Sequence, residues 1–159
     1  MRHVRLLLPF ALLLLASTLG VSRLAAQEAT PVIEPDTLVL VERNEHTETI
    51  DAGEPGPSAG DLLVWGPNPL YDASNETDTG ATMYGECVWL TSEGHQQCSI
   101  TFVFPDGSLI TAQGVQHEGQ PSVTVITGGT GQYLGVTGRL ISESNAEGSA
   151  FTQTFEFGR

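Results

Sequence analysis

The stretch VITGGTGQYLGVTG, Val125 to Gly138, has the composition of a phosphate cradle, in which a strand ends in Thr-Gly and glycines let backbone N–H groups approach a pyrophosphate. That chemistry also needs a helix after the glycines, a second parallel strand and an acidic residue for the ribose, within roughly 30 residues. Gly131 is succeeded by QYLGVTGRLISES, where Gly135 and Gly138 break any helix while Val136, Leu140 and Ile141 suit a strand. The run is therefore predicted to be a tight turn of positive φ followed by a bent, closely packed strand.

Cys87 and Cys98 are the only cysteines, and they flank VWLTSEGHQQ with the turn signal Ser92-Glu93-Gly94. If they sit opposite each other, Thr91 meets Gly94 around a short hairpin turn and both side chains point to one face. A disulfide is the expectation, acting as a staple. A reactive thiol is the alternative, but no basic residue is placed to activate it. His46, His95 and His117 are scattered and form no His-x-His or His-x-x-x-His pair, so no transition-metal site is expected. DASNETDTG spaces Asp72, Ser74, Glu76 and Asp78 at alternate positions, faintly like a calcium loop, yet lacks the sixth-position glycine and twelfth-position glutamate. Asn75-Glu76-Thr77 is a glycosylation sequon. Among the carboxylates, Glu42, Asp61, Glu86 and Asp106 fall near strands or their ends, where solvated or turn-capping roles are the first expectation.

These groups must be positioned by strands. Past Thr37 the runs TLVLVE, DLLVW, TMYGECVWL, QCSITFVF, SLITAQG, SVTVIT, LGVTGRLIS and SAFTQTFEF are rich in β-branched and aromatic residues and separated by Gly, Pro, Asn, Asp and Ser. No amphipathic helical period appears, and the gaps between late strands are too short for crossover helices. The predicted fold is all-β, an eight-stranded antiparallel barrel over residues 37–159, closed so that no edge is left exposed. Alternation puts Cys98, Ile100, Phe102 and Phe104 on one face of the fourth run, and Phe151, Phe155 and Phe157 on one face of the last. Such stripes are core first and ligand-cavity lining second. Ile100, Phe102, Phe104, Phe151 and Phe155, with Trp89, are the apolar pocket candidates.

Ahead of the barrel, MRHVR, the apolar run LLLPFALLLLASTLGV and RLAAQ read as a secretory signal peptide over residues 1–26, cleaved after Ala26. Residues 27–36, with Pro31 and Pro35, read as a flexible arm. The remaining chain has no lysine and sets three arginines against nineteen acidic residues, a net charge near −16. That disfavours nucleic acid and anionic surfaces as partners. It also excludes Schiff-base chemistry and a P-loop lysine. A secreted or periplasmic location is expected, with no stable membrane insertion after cleavage, and no cofactor is expected.

Taken together, GDLLVWGPNPLYDA, GECVW, FPDGSLITAQG and ITGGTGQYLGVTG resemble the allene oxide cyclase barrel family and the dirigent-like proteins, over about Thr37 to Phe157. The resemblance implies an eight-stranded barrel with a hydrophobic interior, often a homotrimer in plants, that cyclises an epoxide or steers coupling of aromatic intermediates. It puts Asn68 and Cys87 at pocket positions. In the first strand, where the plant cyclases carry a pocket glutamate and asparagine, the alignment places Val39 and Val41.

These observations leave three functional expectations. The first is a secreted barrel binding a small hydrophobic or aromatic molecule in its lumen. The second is a cofactor-free isomerase or cyclase that templates a polyene or epoxide. There Asn68, with Tyr71 or Tyr84, would orient a polar end of the substrate. The third is an interaction protein whose barrel is packed solid. No catalytic residue is assigned from the sequence.

Overall fold

A computed structural model of the chain describes residues 36–53 and 55–158. The predicted signal peptide and nearly all of the proposed arm lie outside these residues. Nine strands succeed one another: β1 Asp36–Arg43, β2 Thr47–Ile50, β3 Leu62–Tyr71, β4 Asp78–Trp89, β5 His95–Val103, β6 Leu109–His117, β7 Ser122–Gly129, β8 Thr137–Ser144 and β9 Ala150–Gly158. Neighbours run β1-β9-β8-β7-β6-β5-β4-β3, every pair described is antiparallel, and β1 also pairs with β3, which closes the ring. The predicted eight-stranded barrel is the observed fold.

The ninth strand has a simple origin. β1 covers only Leu70 and Tyr71 of β3, and β2 continues the same line along Leu62–Trp65. The chain leaves the ladder between them, at Asn44–His46. Residues 66–69 of β3 therefore lack a continuous partner on that side. This is where β3 carries Pro67 and Pro69, which cannot donate to a ladder. A bulge between Trp65 and Asn68 accompanies the gap. It resets the alternation, so that Leu63 and Trp65 face inward before it and Asn68 and Leu70 after it.

The interior has two halves. Toward the 104–108 and 130–136 loops it is solid: Phe102 and Phe155 meet edge to face at 4.7 Å, Phe155 stacks near Phe157, and Tyr133 packs against Phe104. Leu40, Leu70, Ile110, Ile126 and Leu140 complete this apolar plug. Toward the 90–94 and 118–121 loops the inward residues turn polar, with Gln96, Gln116, Ser122 and Ser142.

The glycine-rich run is a turn, as its sequence requires. β7 ends at Gly129, a single 3-10 turn occupies Gly131–Tyr133, and β8 begins at Thr137. At Gly138 (φ 141°) a Cβ would lie 2.1 Å from the Glu156 carbonyl oxygen, so close packing demands glycine.

Cys87 and Cys98 are direct cross-strand partners on β4 and β5 and are disulfide-bonded, with Cα atoms 4.0 Å apart. Replacing both with alanine is expected to cost about 3 kcal/mol in urea unfolding, from the entropy of so short a closed loop.

Candidate functional site

The polar half of the lumen contains a cavity of about 270 Å³, small for a ligand chamber. Leu63, Trp65, Met83, Cys87, Ile100 and Phe151 supply its apolar wall, and Glu42 also lines it. A rim of Asn44, Gln116, Gln120 and Ser144, with His117 and Glu118, leads to solvent.

Glu42 is 4% exposed, and both its oxygens are occupied by uncharged donors. Asn68 Nδ2 donates to Oε1 at 2.7 Å, and Gln153 Nε2 donates to Oε2 at 3.1 Å. The Asn68 amide cannot turn over. The Asn68 oxygen accepts the backbone N–H groups of His46 (2.8 Å) and Glu45 (3.2 Å), in the gap between β1 and β2. The Gln153 oxygen accepts the Ser142 hydroxyl at 2.5 Å. Both NH₂ groups are thereby aimed at the carboxylate. Burial pushes the Glu42 carboxyl above its ordinary range, and the hydrogen bonds from Asn68 and Gln153 oppose that rise.

Here the first-strand expectation is corrected. Val39 and Val41 do not supply the lumen. Leu38 and Leu40 pack into the core and Glu42 lines the cavity, while Val39 and Val41 occupy the alternate positions of the strand. A one-residue change of register exchanges the two faces of a strand. The signal was present, because Glu42 has the parity of two leucines. Gln153 likewise interrupts the stripe Phe151, Phe155, Phe157, and polar residues on an apolar stripe are where a buried site shows in sequence.

The other candidates are dispersed. Ile100 and Phe151 line the cavity, whereas Phe102 and Phe155 are fully buried in the plug and Phe104 packs on Tyr133 below it. Asn68 is fully buried behind Glu42. Trp89 is buried at the end of β4, where Gly60 and Asp61 hydrogen-bond to its backbone. Tyr84 is 41% exposed. Tyr71 lies under the Arg43 guanidinium, 3.5 Å from the ring centroid, and does not line the cavity. The same arginine holds the 72–77 loop through Asn75, by Nε to its side-chain oxygen and Nη2 to its carbonyl.

Within that loop Asp72 accepts from the Glu76 and Thr77 N–H groups and the Ser74 hydroxyl, which hold its carboxyl down to about 2. Asp61 and Asp106 are likewise turn caps, held low by hydrogen bonds from Ala52 and Ser58, and from Ser108. Glu86 is exposed. Among the described residues no three His, Cys, Asp or Glu side chains gather as metal ligands. His95 and His117 do meet, edge to face at 4.7 Å, because β5 and β6 pair them directly.

Trp65 owes its place to a glycine. A Cβ on Gly85, its cross-strand partner, would lie 2.1 Å from the indole, so the bare backbone of β4 lets the ring lie across it.

No family model matches the chain, and no curated protein matches it. Solved structures do. A pyocyanin demethylase superposes with a TM-score of 0.68 at 23% identity, covering 77% of this chain and all of that one. The pterocarpan synthase dirigent proteins PsPTS1 and GePTS1 superpose at 0.59 and 0.58, each 14% identical over 77% of this chain and over 92% and 82% of theirs. At these identities the likeness establishes the fold, a barrel shared with dirigent proteins.

Proposed function

We propose that the polar half of the barrel is a binding chamber for a small, largely apolar ring compound, and that Glu42 exchanges a proton with it. The observation that carries this reading is the buried Glu42 carboxyl, hydrogen-bonded by the Asn68 and Gln153 amides, in the wall of a cavity whose apolar side includes Trp65, Met83, Ile100 and Phe151. A carboxyl group whose hold on its proton is strengthened by burial can give that proton to an acceptor atom of the ligand. The Asn68 and Gln153 NH₂ groups then hold the resulting carboxylate. Returning a proton from a different ligand atom completes an isomerisation without a cofactor.

The solid-barrel alternative fits only the aromatic half. The structural neighbours lend support, since a pyocyanin demethylase and two pterocarpan synthases put small-molecule chemistry on this fold. The disulfide and the apolar leader support an exported protein.

The test is a titration of the purified domain with N-phenyl-1-naphthylamine, a neutral fluorescent ring compound, alongside mass spectrometry of co-extracted small molecules. Saturable binding of one probe per barrel, with quenching of tryptophan emission, is expected. An empty extract together with no saturable binding would leave the solid-packed interaction protein as the better reading.

A further inference from the structure

The lumen holds an acidic side chain, Glu42, that no cation among the described residues meets. The two groups bonded to Glu42 are uncharged amides, and the chain has no lysine. Of the arginines among the described residues, Arg43 is engaged over Tyr71 and with Asn75, and Arg139 pairs with Glu156. The other titratable residues lining the cavity are His117 and Glu118, at its exposed rim. A buried carboxylate is costly until a cation joins it. The wall beside it supplies aromatic rings of the kind that attract a flat cation: the Trp65 indole, seated on Gly85, and the Phe151 ring.

Resting on the binding-chamber reading, we propose that the ligand is a planar cation, a ring bearing a quaternary or protonated nitrogen, with Glu42 as its buried counter-ion. A strongly basic ring reaches the same ion pair by taking the Glu42 proton, whereas a weak base such as quinoline stays neutral at pH 8. A permanent cation arrives at the ion pair when that proton leaves for solvent. Ligands carrying a carboxylate are disfavoured, because no arginine or lysine among the described residues lines the cavity. The strongly acidic surface adds to this by concentrating cations near the mouth.

Three probes of one size separate the possibilities: N-methylquinolinium, quinoline and quinoline-4-carboxylate, titrated calorimetrically at pH 8 in 0.3 M salt to suppress the outer surface charge. The cation is expected to bind at least tenfold more tightly than quinoline, and the carboxylate not at all. It should also displace N-phenyl-1-naphthylamine, which places it in the lumen without any mutation. In Glu42→Gln the cation's advantage should vanish while quinoline changes only a few-fold. Quinoline binding as tightly as the cation, or the cation's preference surviving Glu42→Gln, would overturn the proposal and leave the chamber intact. Failure of all three probes, with no saturable N-phenyl-1-naphthylamine binding, would remove the chamber as well.

Discussion

Asn68→Leu is expected to destabilise the domain by about 2–4 kcal/mol at neutral pH, and by distinctly less at pH 5. The size of the loss reflects the work of the side chain. Fully buried, it accepts the His46 and Glu45 N–H groups where β1 and β2 part, and donates to Glu42. Leucine fills the space but leaves the His46 N–H and the facing Glu42 oxygen without their partner, while the Glu45 N–H keeps the Arg43 carbonyl at 2.9 Å; each polar group stranded away from water costs about 1–3 kcal/mol. The pH dependence comes from Glu42. Its folded pKa stands above the ordinary value of 4.5 because of burial, so its contribution is intact below that value and is lost as pH rises through the folded pKa. The Asn68 hydrogen bond works against the rise. Without it the folded pKa climbs further, and the loss deepens between pH 5 and pH 8.

Urea titrations of wild type and variant at the two pH values measure this directly. Equal destabilisation at both would remove the coupling to Glu42 and leave Asn68 only its bonds to the backbone N–H groups. Asn68→Asp sharpens the test: it keeps the acceptor for the two N–H groups but sets a second carboxyl where Nδ2 now lies 2.7 Å from Glu42. Two carboxyls at that distance hold one proton between them, so this variant should approach wild type at pH 5 and fall well below it at pH 8. The capping carboxylates of Asp72, Asp61 and Asp106 do not confuse the comparison. Their pKa values are lowered, so their contribution is lost only as pH falls below about 4.

The barrel was legible because its signals are local and redundant. Turn residues bound each run, alternation assigns Cys98, Ile100 and Phe102 to one face, and Cys87 and Cys98 straddle a turn that can only bring them together. The site was not legible, because it depends on a local irregularity. Whether Asn68 faces in or out rests on the bulge after Trp65, and nothing in GPNPLY fixes where the parity resets. The strand Thr47–Ile50 was missed for a related reason. All four residues are exposed, so TETI carries no hydrophobic pattern, and it is a strand only because β3 needs a partner there. Glu42 and Gln153 belong to strands far apart in sequence, and their convergence with Asn68 is a product of closure. Spacing along the chain cannot encode it, although their place on apolar stripes hints at it.

The aromatic plug should prove structural and the cavity separable from it. Phe155→Ala is expected to cost about 3–5 kcal/mol, at the upper end for a single substitution, since the ring is fully buried and shares its edge-to-face contact at 4.7 Å with Phe102. A closed barrel cannot collapse onto the void, because every neighbouring strand is held by ladders on both sides. Part of the loss should therefore be recovered by saturating benzene, which fits an apolar void of this kind. Phe102→Ala should cost nearly as much, and the double variant less than the sum, because each single variant already forfeits the shared ring contact. If Phe155→Ala cost under 1 kcal/mol, the plug would be loose and the lumen longer than its described walls. Where the variant still folds, N-phenyl-1-naphthylamine should bind with little change: Phe155 does not line the cavity, and Gln153 and Met83, which do, stand between it and the mouth.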